Sequence, residues 1–375
     1  MNSLIDKSNF IGLDSCTWLF SGAETPTLRR SVEAVNDYFM SRSLGPLGRE
    51  RNAMIESTCK QNVAKLLCGK AEDIALISNS SDAISIIAQA IPFRQGDNVV
   101  INTLEFPSGV LPWLALKKRG VEVRIARAQA WQIEPDDILA LVDNRTKLVM
   151  TSHVSYMTGA RLDYQKLYRE LNQTNALLLL DATQSLGVVP VNMEDADFVV
   201  CSSYKWLLSI HGAGILGVNH KRLHDIVPVS AGWRSIQNMF SSTRFESFEF
   251  HDDARRYEQG FPSYSTVYSL ASSTELLLDT GIEKVERHVL ELGGSLIERL
   301  KKTGFEIMTP NKPSKRAGNI SIVCENAAIV ADRLQKENIY LWGGDGRLRV
   351  SLHLFNDSTD IDKFMELLPA CSSNV

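Results

Sequence analysis

Two strand-like runs of this chain end in residues that could work as a pair. Leu177-Leu178-Leu179-Leu180 closes on Asp181, and Phe198-Val199-Val200-Cys201 leads into Ser202-Ser203-Tyr204-Lys205. A buried acid and an amine just past the next strand are two groups that pyridoxal-phosphate (PLP) chemistry needs. The amine forms a Schiff base, and the carboxylate keeps the pyridine nitrogen protonated so that the ring draws electrons. The same residues also read as an acid capping a helix and an unrelated surface lysine, and alone they leave both readings open.

Other strand ends add to the pair, because open α/β sheets bind ligands beyond the carboxyl ends of their strands. Asn79-Ser80-Ser81-Asp82 lies between a strand and a helix, where free N–H groups and the dipole suit a phosphate. The same residues make an ordinary helix cap. Ser202 and Tyr204 offer further phosphate donors. Phe106, in Glu105-Phe106-Pro107-Ser108, could stack on a flat ring or sit in the core. His153 and Tyr156, in Ser152-His153-Val154-Ser155-Tyr156, could reach a ring oxygen or substrate together with Gln184, although a structural histidine is an equal reading of His153. Arg347 and Arg349 share one strand face. A guanidinium fork there suits a carboxylate; the bland alternative is a surface salt bridge.

The elements that would position these residues follow from the hydrophobic pattern. Candidate strands are Ile74–Ile77, Asn98–Ile101, Val121–Ile125, Leu148–Ser152, Leu177–Asp181, Phe198–Ser202 and Gly214–Val218. Several are unbroken apolar runs, as strands buried on both faces require. Helical periods separate many of them, among them the stretch capped by Ser80-Ser81-Asp82. That alternation predicts an α/β fold with a mostly parallel sheet. Beyond residue 265 the pattern changes. A long helix is expected from Tyr268 to Leu300, then a small α+β unit with strands Asn319–Val323 and Leu348–Leu352 and a terminal helix from near Thr359. A chain of 375 residues exceeds what one core usually holds. The expected division is an N-terminal segment, 1–60, packed on the small unit; a large domain, 61–265; and a long helix with a small C-terminal domain, 266–375.

Composition narrows the function classes. Apolar residues make up 44% and charged residues 22%, with a net charge of −4. The basic residues are scattered, which argues against a nucleic-acid partner. The opening MNSLIDKSNFIGLD lacks the apolar stretch of a signal peptide. Runs such as Ala176–Leu180 are too short to span a bilayer. The six cysteines are widely spaced without a CxxC pair. They read as reduced thiols of a cytoplasmic protein, with no disulfide framework and no metal.

The chain resembles the class V aminotransferase group of fold-type-I PLP enzymes, which includes cysteine desulfurases, isopenicillin-N epimerase and kynureninase. The segments that carry the resemblance are NSSDAISIIA (79–88), EFPSGVLPW (105–113), SHVSYMTGARLD (152–163), LLLLDATQSLG (177–187), CSSYKWLLSIHGAGILGV (201–218), RYEQGFPSYS (256–265) and GRLRVSLHLFND (346–357). It implies a role for each candidate. Lys205 would hold PLP as a Schiff base and shuttle protons, and Asp181 would pair with the ring nitrogen. Gln184 would contact the ring oxygen and Phe106 would stack on the ring. Ser80, Ser81, Ser202 and Tyr204 would hold the phosphate, and Arg349 the substrate carboxylate. The segment around Phe261 to Ser263 would reach the neighbouring site of a homodimer.

Three departures bear on activity. Desulfurases that form a persulfide carry a cysteine on a loop shortly before that arginine, and 339–346 holds none; the nearest is Cys324. Phe261 stands where threonine is usual, so its phosphate contact is lost or passes to Ser263. Tyr156 and Phe106 replace asparagine and histidine, as in the kynureninase or epimerase branches. The expected activity is carbon–sulfur β-elimination on an α-amino acid without a persulfide. Epimerisation and transamination share the early steps, and a non-catalytic PLP-fold regulator is the reading from another class.

Overall fold

The computed structural model describes residues 1–223 and 226–372. The chain begins with a short strand, β1 (Thr17–Leu19), and two helices, α1 (Arg29–Arg42) and α2 (Pro46–Leu66). A seven-stranded sheet follows, built from β2 (Ile74–Ile77), β3 (Asn98–Asn102), β4 (Glu122–Ala126), β5 (Thr146–Ser152), β6 (Leu177–Asp181), β7 (Phe198–Ser202) and β8 (Gly214–Val218). Its order is β2-β8-β7-β6-β5-β3-β4, and only β8 runs antiparallel to its neighbours. Helices α3 (Ser80–Ala90), α4 (Leu111–Leu116), α5 (Pro135–Leu139) and α6 (Tyr164–Leu171) lie in the connections. Every residue of β2, β3, β6, β7 and β8 is buried. This is why those strands read as continuous apolar runs and why the α/β expectation holds.

The remaining elements are α7 (Tyr264–Thr280), α8 (Ile282–Leu300), β9 (Asn319–Val323), α9 (Ala327–Lys336), β10 (Ile339–Gly344), β11 (Arg347–Ser351) and α10 (Ser358–Ser372). A second sheet of order β1-β10-β11-β9 brings the N-terminal strand alongside the C-terminal ones, with Thr17 paired to Ile339.

The structure adds detail to the sequence reading at four places. The single helix from Tyr268 to Leu300 is two helices, broken at Gly281, whose φ of +85° only glycine adopts cheaply. The expected divisions at 60/61 and 265/266 fall inside α2 and inside the first turn of α7, and α1 and α2 both pack on α7. The stretch before Arg349, to which the sequence reading assigned no element, is a β-hairpin. Its turn, Asp345-Gly346, has φ of +44° and +71°, the two left-handed positions that favour Asp-Gly. Finally, the cap of α3 is Asn79, whose Oδ1 accepts from Asp82 N at 2.8 Å while its backbone is extended. Ser80 and Ser81 therefore sit inside the first turn with their hydroxyls free for other partners.

Candidate active site

Parallel strands deliver their last residues to one edge. Register pairs Ser152 with Asp181, and Ser202 with Gly214. Gly214 is obligatory there, since a Cβ would stand 2.3 Å from the Asn79 carbonyl carbon. The start of α3 is thereby laid directly on the sheet edge. The cleft that results is lined by Ser80, Ser81, Phe106, Ser108, Ser152, Tyr156, Asp181, Thr183, Gln184, Ser202, Tyr204 and Lys205. Nine of the sequence candidates meet in it.

The Lys205 turn is held from several sides. Leu208 N donates to Lys205 O at 3.0 Å, with Leu208 itself at φ +58°, strained for a bulky residue. Thr25 Oγ1 donates to Lys205 O at 3.1 Å, so the N-terminal segment buttresses the turn. Trp206 is fully buried. The Lys205 Nζ stands 5.6 Å from the ring centroids of Phe106 and of Tyr204, and Tyr204 in turn stacks on His211 at 3.9 Å.

Burial, then the nearby Arg349 charge, push the Lys205 ammonium down to about 8, and Asp181 opposes both. Asp181 is buried, which raises its carboxyl above the ordinary value. The Thr183 N–H, donating at 2.8 Å, and the Lys205 charge oppose this. The hydroxyls pair up: Ser80 with Ser202 at 2.8 Å, and Ser81 with Ser108 at 2.7 Å. Hydroxyls so placed at a helix N-terminus suit an anion such as a phosphate.

Gln184 lines the cleft but is largely committed elsewhere. Its Nε2 donates to Gly22 O at 2.8 Å, and its Oε1 accepts from Trp206 Nε1 and Asn319 Nδ2, each at 2.9 Å. One amide N–H remains for a ligand. His153 does not reach the cleft. It is buried with its ring against Tyr164, its Nε2 accepts from Arg161 Nε at 3.1 Å, and burial drives its pKa well down. It is a neutral structural histidine, and its expected cofactor role is withdrawn.

Arg347 and Arg349 are not surface residues; they are 0% and 3% exposed, and Arg347 has one long contact, Nη1 to the exposed Asp345 carboxylate at 3.4 Å. Both lie behind Tyr156. Arg349 Nη1 donates to Tyr156 O at 2.8 Å, and the Arg347 guanidinium stands 5.3 Å from the Tyr156 ring centroid. Phe261 and Ser263 border a separate concavity beside the start of α3.

Four contributors escaped the sequence reading. Thr183 braces Asp181, and its Oγ1 accepts from Ser202 N at 3.3 Å. Glu105 is buried beneath the cleft and accepts from Ser152 Oγ at 2.6 Å and from Ser152 N at 2.8 Å. Burial, reinforced by the Asp181 charge, pushes it up to about 7. Trp342 packs against both arginines. Gly22 lies so close to Arg349 that a Cβ would stand 3.1 Å from Nε. Thr183 and Glu105 sit inside quoted motifs; Trp342 and Gly22 meet the site only through the tertiary fold.

An amine, a buried carboxylate braced by a backbone N–H, paired hydroxyls at a helix start and an exposed phenylalanine form a donor set that fits PLP. The fold and site thus define a PLP-binding enzyme class. The chain belongs to the aminotransferase class-V family, whose model matches residues 17–364. A probable cysteine desulfurase of Methanothermobacter thermautotrophicus is 26% identical, the match covering 94% of this chain and 93% of that relative. Among solved structures, an apo cysteine desulfurase from Thermococcus onnurineus NA1 superposes with a TM-score of 0.90 at 21% identity over the whole of both chains. The cystine C–S lyase C-DES, in complex with cysteine persulfide, superposes at 0.87 with 20% identity, covering 97% of this chain and 99% of its own. No helix among the described residues is long and apolar enough to cross a membrane.

Proposed function

We propose that this PLP-dependent enzyme cleaves the β-substituent of a sulfur-containing α-amino acid without forming a protein persulfide. The observation that carries the reading is the hairpin before Arg349. Its two-residue turn leaves no loop to swing a thiol toward substrate, and β10 and β11 contain no cysteine. Cys324 follows β9, with its N–H donating to Gly346 O at 2.7 Å, and burial raises its thiol pKa. Cys201 is buried in β7, and burial raises it further still.

When bound, PLP supplies an aldehyde for an amine and a ring that accepts the electron pair released at Cα. The protein's own groups do the rest. Lys205, with its pKa lowered to about 8, has a larger neutral fraction near neutral pH than an ordinary lysine and can take or return the Cα proton. Asp181 favours a protonated nitrogen beside it. Ser80, Ser81, Ser202 and Tyr204 would hold the phosphate, and Phe106 would lie over the ring. Arg349 would grip the α-carboxylate.

The test is an amino-acid screen of the holoenzyme, read by mass spectrometry of products and of the intact protein. Thiol or sulfide with pyruvate-like product supports elimination. A keto acid with loss of the amino group to the cofactor, or a racemised substrate, replaces the reading with transamination or epimerisation.

A homodimer in a reducing cytoplasmic setting belongs to the same proposal. Exposed Trp233, Phe240, Phe245, Phe248 and Phe261 lie along one segment and support a subunit contact there. Light scattering should give twice the chain mass; a monomer would remove this part.

A further inference from the structure

Arg347 and Arg349 are two buried cations with donors to spare. Arg347 is 0% exposed, and its Nε and Nη2 have no partner among the described residues. Among the described residues the one carboxylate paired with it, on exposed Asp345, reaches only Nη1, at 3.4 Å. Arg349 likewise has an unpartnered Nε and spends one Nη1 bond on a neutral carbonyl. Buried charge left uncompensated is costly, so a site that keeps two such groups side by side has a counter-anion in its working state.

Several features hold the pair ready. The two side chains alternate onto one face of β11, roughly 7 Å apart along the strand. Trp342 on the partner strand stands 4.4 Å from the Arg347 guanidinium and 5.4 Å from that of Arg349. Cation–π contact of this kind orients a guanidinium without neutralising it. Tyr156 then joins the pair to the cleft, since it lines the cleft with Phe106 and touches Arg347 with its ring face. Gly343 allows α9 to close over the back of β10, where a Cβ would lie 2.3 Å from the Ala327 carbonyl oxygen. This closes the rear of the pair; on the cleft side the Tyr156 ring lies over Arg347, so a side-chain acid would reach Arg347 past that ring.

We propose that Arg347 and Arg349 form a two-anion receptor, so that the substrate is an α-amino acid whose side chain carries a second acidic group, a carboxylate, sulfinate or sulfonate. The inference rests on the amino-acid reading above and narrows its substrate class. Arg349 takes the α-carboxylate and Arg347 the side-chain acid. An apolar or neutral side chain would leave Arg347 unpaired, and the site discriminates against it for that reason.

Calorimetry on the holoenzyme with unreactive acids tests this without turnover. Glutarate and succinate are expected to bind about ten- to hundredfold more tightly than butyrate, the range for bonds to a charged group. In Arg347→Gln that ratio should collapse toward one, with retained cofactor absorbance and melting temperature as the folding control. Equal binding of diacid and monoacid by the wild type overturns the proposal even if the variant does not fold, as does a ratio that Arg347→Gln leaves intact. If no α-amino acid of either kind perturbs the bound cofactor's spectrum, the amino-acid reading itself fails. If monoacid and diacid amino acids perturb it at the same concentrations, only the two-anion receptor fails.

Discussion

His353 Nε2 donates to the backbone carbonyl of Trp206 at 3.0 Å, so the turn that carries Lys205 is tied to the chain just beyond β11. Its Nδ1 accepts from Leu354 N at 2.8 Å. Both ring nitrogens are therefore committed in the neutral form, and a second proton has no place to go. Burial, against the pull of the Trp206 bond, pushes its pKa down to about 4.

That depression makes stability depend on pH. Below 6.5 the unfolded chain takes up a proton that the folded chain refuses until about pH 4. The contribution is thus complete above 6.5 and is lost as pH falls through 4. It amounts to on the order of 3 kcal/mol, of which about 2 kcal/mol disappears between pH 7.5 and 5. His153 and His288 are also held low by burial. The readout is therefore the difference between wild type and His353→Gln, whose amide can make both bonds but does not titrate. Urea midpoints at the two pH values should fall more steeply for the wild type. Parallel falls would show that His353 protonation is not coupled to unfolding.

Lys205→Ala should abolish activity and the absorbance of the covalently held cofactor, because no other amine among the described residues lines the cleft. Borohydride reduction of the wild type should place the pyridoxyl group on the peptide containing Tyr204-Lys205-Trp206. A label on another lysine would move the attachment site.

Asp181→Asn removes the buried charge but leaves a group that can still accept from the Thr183 N–H. Part of the cofactor should be retained while turnover drops by orders of magnitude, since the nitrogen loses the carboxylate that favours its charged form. Turnover within a few-fold of wild type would assign that task to another group.

Much of this site was legible because its chemistry sits at the ends of strands buried on both faces. Such strands are apolar runs, and Asp181 and Ser202 stand out at their ends. β10 was not legible. Its first residues alternate between buried and half-buried, and Gly343-Gly344 reads as loop although Gly343 is needed for α9 to pack close. His153 misled because the residue after a strand end can turn either way; Arg161 and Tyr164 claim it, and both lie in the next turn of chain. The links from Gln184 to Gly22 and from His353 to Trp206 join residues far apart in sequence, where no local pattern registers them.

The thiol question has a direct answer in the cysteines. All six are free, but Cys201 and Cys324, the two nearest the site in sequence and strand order, are both held as thiols by burial. A persulfide needs a thiolate that reaches the substrate sulfur. Cys324→Ser and Cys201→Ala should each keep turnover within a few-fold of wild type, and intact-protein mass spectrometry after turnover should find no added sulfur. A trapped persulfide on Cys324 would make this a desulfurase.

Arg349 carries the assignment of the substrate's α-carboxylate. Burial, then the Arg347 charge, push its guanidinium down to about 9, so the pair gains from an anion between them. A guanidinium grips a carboxylate with two parallel bonds, which a lysine cannot reproduce. Losing that grip should cost about 1.5–3 kcal/mol of substrate binding, roughly a ten- to hundredfold rise in KM. Arg349→Lys should show this for every α-amino acid tried, while the spectrum of the resting holoenzyme stays the same because lysine keeps the positive charge that acts on Lys205. Amines lacking the carboxylate should be nearly indifferent to the change. A larger loss in Arg347→Lys, across monoacid and diacid substrates alike, would move the α-carboxylate two residues along β11. No loss in either variant would mean that the substrate presents no free α-carboxylate to this strand.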